Sequence, residues 1–273
     1  MDIDRVGVIG AGTMGSGIAA LLVMHGFRVE LFDPDGSALE RARDRVAKRT
    51  VDDPGRLALL GLHESLPAAV AEADLVIEAA PEIMALKREL FAEIDAAARA
   101  GAVLASNTSE LSVTYMAAAT TRPADVVGMH WFNPPERMKL VELVRGVRTG
   151  AAALDTARTV AERCGKTVVT VEDRQGFVTT RVVAALLLEG ARILEEGVAS
   201  REDIDTAVRL GLTHPMGPLE LADYIGLDTV LFIADSLADA YGDRFRAPQT
   251  LRKLVEAGML GRKSGAGYYE VES

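Results

Sequence analysis

Two sets of residues in this chain have the types and spacing to do chemistry. The first is the run Gly10-Ala11-Gly12-Thr13-Met14-Gly15, which follows the apolar stretch 6–9 and is itself followed by an acid, Asp33, closing the apolar stretch 29–32. That pattern suits a dinucleotide. Gly10 lets the chain turn off a strand, Gly12 keeps a Cβ out of the way of a pyrophosphate, and Gly15 lets the next helix lie close to the sheet. The first-turn N–H groups of that helix lack backbone acceptors and carry partial positive charge, so a diphosphate can bind there without a basic side chain. Asp33 is placed to accept both ribose hydroxyls of an adenosine and meets a 2′-phosphate as a like charge, so NAD is expected over NADP.

The second set is His130 with Glu142. His130 falls at the expected C-terminal end of a parallel strand, the edge where open α/β sheets bind ligands. The residues that follow, Trp131-Phe132-Asn133-Pro134-Pro135-Glu136-Arg137-Met138, form a proline-fixed turn, and the chain then resumes as a strand that carries Glu142. If the two runs lie side by side, the carboxylate orients one ring nitrogen and stabilises the imidazolium, leaving the other as a general base for a substrate hydroxyl while hydride leaves to a nicotinamide. Ser109 and Asn133 are short polar groups able to bond the reacting oxygen as its charge changes. The run 106–108 reads equally well as strand-to-helix capping. Glu82 and Lys87 open the helix after the stretch 75–80, within reach of a nicotinamide ribose. Taken alone they would be an ordinary first-turn acid and a surface lysine.

The elements that must position these groups form an alternating pattern from residue 5 to about 170. Strands are expected at 6–9, 29–32, 75–79, 103–106, 126–130, 140–144 and 168–171, with helical patterns between them, which makes a doubly wound, mostly parallel α/β sheet. The first helix is expected over 14–25 with Gly26 as its left-handed cap. The segment 39–49 reads as a solvated amphipathic helix. After Gly176 the pattern is all helical, beginning with a helix over 177–197 whose run 182–188 is apolar all round and therefore expected to be buried. Two domains follow: 1–174 for the dinucleotide and 175–273 as a helical unit. A buried helix in so small a unit suggests a partner subunit that covers it.

Composition narrows the class further. The 30 basic and 40 acidic residues, a net charge of -10, argue against nucleic-acid or anionic-membrane partners. One cysteine, Cys164, excludes an internal disulfide and suits a reducing compartment; it is expected in the core near a helix end. No stretch is apolar for long enough to span a membrane and a strand starts within a few residues of the N-terminus, so a cytoplasmic protein is expected. The four histidines, His25, His63, His130 and His214, show no metal-ligand spacing, and His214 reads as a turn residue before Pro215.

Several stretches together resemble the L-3-hydroxyacyl-CoA dehydrogenases, including the bacterial 3-hydroxybutyryl-CoA dehydrogenases. They are Gly10 to Gly15, Ala73-Asp74-Leu75-Val76-Ile77-Glu78-Ala79, Ser106-Asn107-Thr108-Ser109, His130 to Pro134 with Met138-Lys139-Leu140-Val141-Glu142, His214-Pro215-Met216-Gly217-Pro218 and Gly261-Arg262-Lys263-Ser264-Gly265. The likeness covers nearly the whole chain, in order. It implies a Rossmann-type domain followed by an all-helical C-terminal domain that closes the acyl pocket and makes a homodimer, with a role in fatty acid metabolism. It also implies a His130–Glu142 catalytic pair, Ser109 and Asn133 near substrate oxygen and nicotinamide, and NAD contacts from the glycine run with Thr13 and Met14, and from Asp33, Glu82, Lys87 and Lys263.

Two features depart from the family pattern. Thr180 stands where many members have asparagine, and the segment 33–74 is short because the charged helical hairpin is truncated. Lys48, Arg49 and Arg56 are candidates for CoA phosphates, each with a solvated face as the alternative, and Thr180 is a candidate substrate contact. The carrier therefore stays open between CoA, an acyl carrier protein and a free hydroxy acid, and a non-catalytic NAD-binding protein is the reading from a different class.

Overall fold

The computed structural model describes residues 3–270. The chain divides into two compact units between Arg174 and Gln175.

The first unit is built on one eight-stranded sheet: β1 (Arg5–Ile9), β2 (Arg28–Phe32), β3 (Leu60–His63), β4 (Leu75–Glu78), β5 (Val103–Ser106), β6 (Val126–Trp131), β7 (Leu140–Arg145) and β8 (Thr167–Glu172). Their spatial order is β3-β2-β1-β4-β5-β6-β7-β8. The first six are mutually parallel, β7 is antiparallel to β6, and β8 runs parallel to β7. An order of 3-2-1-4-5-6 is two mononucleotide-binding halves joined at β1 and β4, so a ligand crevice is expected outside the carboxyl ends of the central strands. β4, β5 and β6 are buried along their whole length, which explains why they read as continuous apolar runs rather than as alternation.

Helices α1 (Thr13–Met24), α2 (Gly36–Arg49), α3 (Leu66–Val70), α4 (Met84–Ala97), α5 (Val113–Ala117) and α6 (Ala151–Arg163) connect the strands. Gly26 follows α1 in the left-handed region at φ 83°, as its position after the helix requires. α2 buries only Ala38, Leu39, Ala42 and Val46, leaving its charged face to solvent. Cys164 caps α6 from within the core. Burial pushes its thiol up to about 12, against the pull of the nearby Lys166 and Arg163 charges.

β3 is the strand that the sequence reading missed. It holds only four residues, Leu60-Gly61-Leu62-His63, too short a run to stand out, and a Cβ on Gly61 would lie 2.0 Å from Glu30 Oε2. Glycine there makes room for the Glu30 carboxylate, which meets His63 Nε2 at 2.6 Å.

The second unit comprises α7 (Thr179–Glu195), α8 (Arg201–Gly211), α9 (Pro218–Ile225), α10 (Leu227–Tyr241) and α11 (Gln249–Glu256). Its core gathers Leu187, Leu188, Leu219, Leu227, Leu237 and Tyr268. His214 Nδ1 bonds the Met216 carbonyl oxygen across a turn at 2.6 Å. The expectation for the helix over 177–197 needs correction. Phe177 adopts φ 46° and so precedes the helix, and α7 is buried along one face only, with Val182 64% exposed. A single small core covers one side of a helix, so the apolar run outstrips what this chain can bury.

Candidate active site

The turn between β1 and α1 has the geometry that its glycines imply. Gly10 sits at φ 101° with an added Cβ only 2.9 Å from the Ala79 carbonyl oxygen, and a Cβ on Gly15 would fall 1.7 Å from the Gly10 carbonyl oxygen. By contrast, a Cβ on Gly12 would meet nothing within 4 Å, because this residue caps α1 at an open cavity of about 520 Å³. Ala11, Gly12, Thr13 and Asp33 line that cavity, with Arg41 and Arg45 on its α2 side. Asp33 directly follows β2, with Oδ2 accepting from the Ala11 N–H at 2.7 Å and Oδ1 from the Asp35 N–H at 2.9 Å. Each carboxylate oxygen keeps a further lone pair for a ribose hydroxyl. The residues present therefore fit NAD: glycine where a diphosphate must approach, a helix N-terminus beside it, and an acid at the ribose position.

His130 and Glu142 are brought together by strand pairing alone. The β6–β7 register sets them directly opposite each other, and the intervening turn has the length that this register needs. His130 Nδ1 lies 2.8 Å from Glu142 Oε2, with Glu142 fully buried and His130 7% exposed. A buried carboxylate accepts, so Nδ1 carries the proton and donates. Phe132 packs on the imidazole, ring centroids 4.3 Å apart and inclined by 43°. Asn107 Oδ1 accepts from the Trp131 N–H at 3.0 Å, tying the end of β6 to the loop after β5. Asn133 lies exposed on the turn beyond.

The loop that carries Ser109 is organised by Glu82. Glu82 Oε1 accepts from the Thr108 hydroxyl at 2.5 Å, the Ser109 N–H at 2.8 Å and the Ser109 hydroxyl at 3.3 Å. Glu82 precedes α4 rather than opening it. Lys87 is not the surface lysine its type suggests: it is 1% exposed, and its ammonium donates to Glu78 Oε1 at 2.7 Å and the Ala80 carbonyl at 3.1 Å, with Glu82 Oε2 at 3.3 Å. Glu78, missed in the sequence, is wholly buried at the carboxyl end of β4 and also accepts from the Ser106 hydroxyl at 2.6 Å. Its one legible signal was an acid ending an otherwise apolar strand. The capping expected of the run 106–108 falls instead to Ser112, which caps α5.

The remaining candidates are more scattered. Arg49 stands on α2 with Nε 3.5 Å from Glu136 Oε1, and Lys48 lines a neighbouring cavity of about 400 Å³ with Arg41 and Arg45. Arg56 commits its guanidinium to the Met24 carbonyl and, at 2.8 Å, to Asp53, so it braces the C-terminal end of α1. In the second unit Thr180 is buried in the first turn of α7. Lys263 pairs with Asp228, Nζ to Oδ2 at 2.6 Å. Burial alone would raise the Asp228 carboxyl, yet the Lys263 ammonium and the Thr229 N–H hold it below the usual range.

A dinucleotide sheet with an open glycine turn and a histidine–carboxylate pair at its ligand edge has the build of a nicotinamide-dependent oxidoreductase. The comparisons make the class definite. The model of the 3-hydroxyacyl-CoA dehydrogenase NAD-binding domain matches residues 5–174, and that of the 3-hydroxyacyl-CoA dehydrogenase C-terminal domain matches residues 176–271. The chain is 42% identical to the probable 3-hydroxybutyryl-CoA dehydrogenase of Bacillus subtilis, over 100% of this chain and 99% of that protein. It is 42% identical to the 3-hydroxybutyryl-CoA dehydrogenase of Mycobacterium tuberculosis, over 98% of each. The crystal structure of the (S)-3-hydroxybutyryl-CoA dehydrogenase of Ralstonia eutropha superposes with a TM-score of 0.95 at 37% identity and full coverage of both chains. The chain belongs to the 3-hydroxyacyl-CoA dehydrogenase family and is an NAD-dependent oxidoreductase.

Proposed function

We propose that this protein interconverts an (S)-3-hydroxyacyl-CoA and its 3-ketoacyl-CoA, with His130 and Glu142 as the proton-transfer pair. The observation that carries the reading is the 2.8 Å contact between His130 Nδ1 and the fully buried Glu142 carboxylate at the ligand edge of the sheet. With Nδ1 committed to Glu142, Nε2 is the nitrogen that receives the hydroxyl proton in oxidation and returns it in reduction. NAD, when bound, supplies the hydride acceptor for the hydrogen on C3. As C3–H and O–H break, the C3–O bond becomes a carbonyl, and Glu142 stabilises the imidazolium formed at the same moment. Ser109 and Asn133 are assigned to the reacting oxygen, Ser109 being held by its N–H on Glu82. Lys263 is assigned to NAD, with the family motif it occupies as support, and Thr180 to the substrate, from its standing at the position where many members have asparagine. The C-terminal unit is assigned to homodimer formation in the cytoplasm, in support of which Val182, Leu210, Leu212 and Phe232 are 64%, 72%, 70% and 50% exposed.

The test is NADH production from (S)-3-hydroxybutyryl-CoA by wild type and by His130→Ala, alongside the same acyl group on an acyl carrier protein and as the free acid. Turnover preferring the CoA ester, and falling at least about 10²-fold in the variant, is expected. Near-normal turnover in His130→Ala refutes the assignment of the base, and preference for either other substrate refutes the carrier.

A further inference from the structure

One buried carboxylate has no part in the site as described. Glu136 lies in the turn after β6, three residues beyond Asn133, with its side chain 5% exposed. It receives the Arg45 guanidinium edge-on: Nη2 is 3.0 Å from Oε1 and 3.3 Å from Oε2, and Nε is 3.3 Å from Oε1. The other end of the same guanidinium faces α1. Nη1 donates to the Thr13 carbonyl at 2.9 Å and the Ser16 hydroxyl at 3.2 Å, and Ser16 in turn donates to the Gly12 carbonyl at 2.7 Å. A single planar cation thus holds the dinucleotide turn with one end and the turn after His130 with the other.

The packing around this bridge is tight. A Cβ on Gly17 of α1 would come 3.0 Å from Arg45 Nη2 and 3.0 Å from Pro135 Cδ, so glycine there lets both the guanidinium and the proline close on the helix. Lys166 also fastens this turn, donating to the Pro135 carbonyl at 2.7 Å and the Met138 carbonyl at 2.8 Å. Between these fastenings and the end of β6 lie Phe132, packed at a tilt against the His130 ring, and Asn133. An exposed ion pair would do little for such a turn. Here the carboxylate is buried and the Arg45 side chain 27% exposed, with Arg49 Nε a further 3.5 Å from Oε1, and a contact through the rigid fork of arginine fixes direction as well as distance, which a lysine in the same place would not.

We propose that Arg45 and Glu136 are a positioning pair for the hydride transfer, holding Phe132 and Asn133 in register with the turn at Gly12 and Thr13. The inference rests on the His130 reading above, because the groups positioned are those around that imidazole. Neither residue touches the reacting atoms. Their effect is on the geometry in which the proton acceptor and the cofactor address one substrate, and misplacement by about 1 Å can cost about 10²-fold in rate.

The experiment compares Glu136→Ala, Glu136→Gln, Arg45→Met and the Arg45→Met/Glu136→Ala double variant by kcat, by NADH affinity from fluorescence titration and by Tm. Glu136→Ala is expected to lower kcat by about 10-fold or more while NADH affinity stays within about threefold, since the group removed does not face the cofactor. Glu136→Gln is expected to recover part of the loss because it keeps an acceptor oxygen for the fork. The double variant is expected to be no slower than the slower single one, as for two residues acting through each other. A folded Glu136→Ala with wild-type kcat, or losses that multiply in the double variant, overturns the proposal. If Glu136→Ala does not fold, Glu136→Gln and Arg45→Lys decide alone, both read at saturating cofactor because Arg45 lines the dinucleotide cavity: unchanged kcat in both overturns it, and a kcat loss in Glu136→Gln with retained NADH affinity supports it. Wild type and His130→Ala run alongside. Loss of activity in His130→Ala with none in the Glu136 variants sinks the pair and leaves the base standing, whereas an active His130→Ala sinks the reading beneath it.

Discussion

Glu142→Gln isolates what the buried carboxylate does, because it removes the charge and leaves the shape. Glu142 is fully buried and 2.8 Å from His130 Nδ1, so neither solvent screening nor a lengthened contact weakens the interaction. A hydrogen bond to a charged group contributes about 1.5–3 kcal/mol, and each 1.36 kcal/mol is tenfold in rate, so loss of the charge accounts for about 10- to 150-fold. The amide adds a second effect: it can present its NH2 to Nδ1, shifting the proton to Nε2 and blocking the nitrogen that must act as base. Together they predict a fall in kcat of about 10²- to 10³-fold in the oxidation of (S)-3-hydroxybutyryl-CoA. The carboxylate matters most once the imidazolium forms, so kcat and kcat/KM should fall alike with NADH affinity unchanged. The assay is steady-state NADH formation with a matched Tm measurement. A folded Glu142→Gln enzyme with kcat within about threefold of wild type would refute the argument, because a buried charge at that distance cannot be neutral to imidazolium formation.

Three further outcomes follow from the same geometry. Lys87→Met strands the fully buried Glu78 carboxylate and should cost about 3–5 kcal/mol, read as a Tm drop of about 10 °C, and a drop under about 2 °C would show that the Glu78–Lys87 pair is not holding the strand end. Asp33→Ser removes the like charge facing a 2′-phosphate in a cavity also lined by Arg41 and Arg45, so the NADP-to-NAD ratio of kcat/KM should rise about 10-fold or more; an unchanged ratio places cofactor discrimination elsewhere. Cys164, 3% exposed and with its thiol pushed up to about 12, should resist iodoacetamide at neutral pH and react once the protein is unfolded in urea, while rapid labelling of the native enzyme would contradict its burial.

Much of the site was legible because its groups announce themselves locally. The glycine run, Asp33 at a strand end, and His130 twelve residues before Glu142 are short-range patterns, and strand pairing across one turn converts the last of them into contact. Less visible were groups whose meaning depends on distant partners. Lys87 reads as a solvated lysine until β4 and β5 bury it against Glu78 and Ser106 lends that acid a hydroxyl. β3 escaped notice because it is four residues long and carries Gly61, a residue that weakens a strand and here admits the Glu30 carboxylate. The run 182–188 looked buried all round because periodicity reports which residues are apolar and not how much core there is to cover them.

The amino-acid order by itself determined the fold class, the glycine turn with an acid after the next strand, and the meeting of His130 with Glu142, since each depends on residues near one another in the chain or on a strand period that sets register. Tertiary structure alone decided the wiring behind them: Glu82 drawing in Ser109, Lys87 sunk against Glu78, and Arg45 reaching 91 positions along the chain to Glu136. Such contacts form only when the sheet order brings β1, β4, β5 and β6 side by side, because a charge acquires a buried partner through the packing of elements and not through its neighbours in sequence.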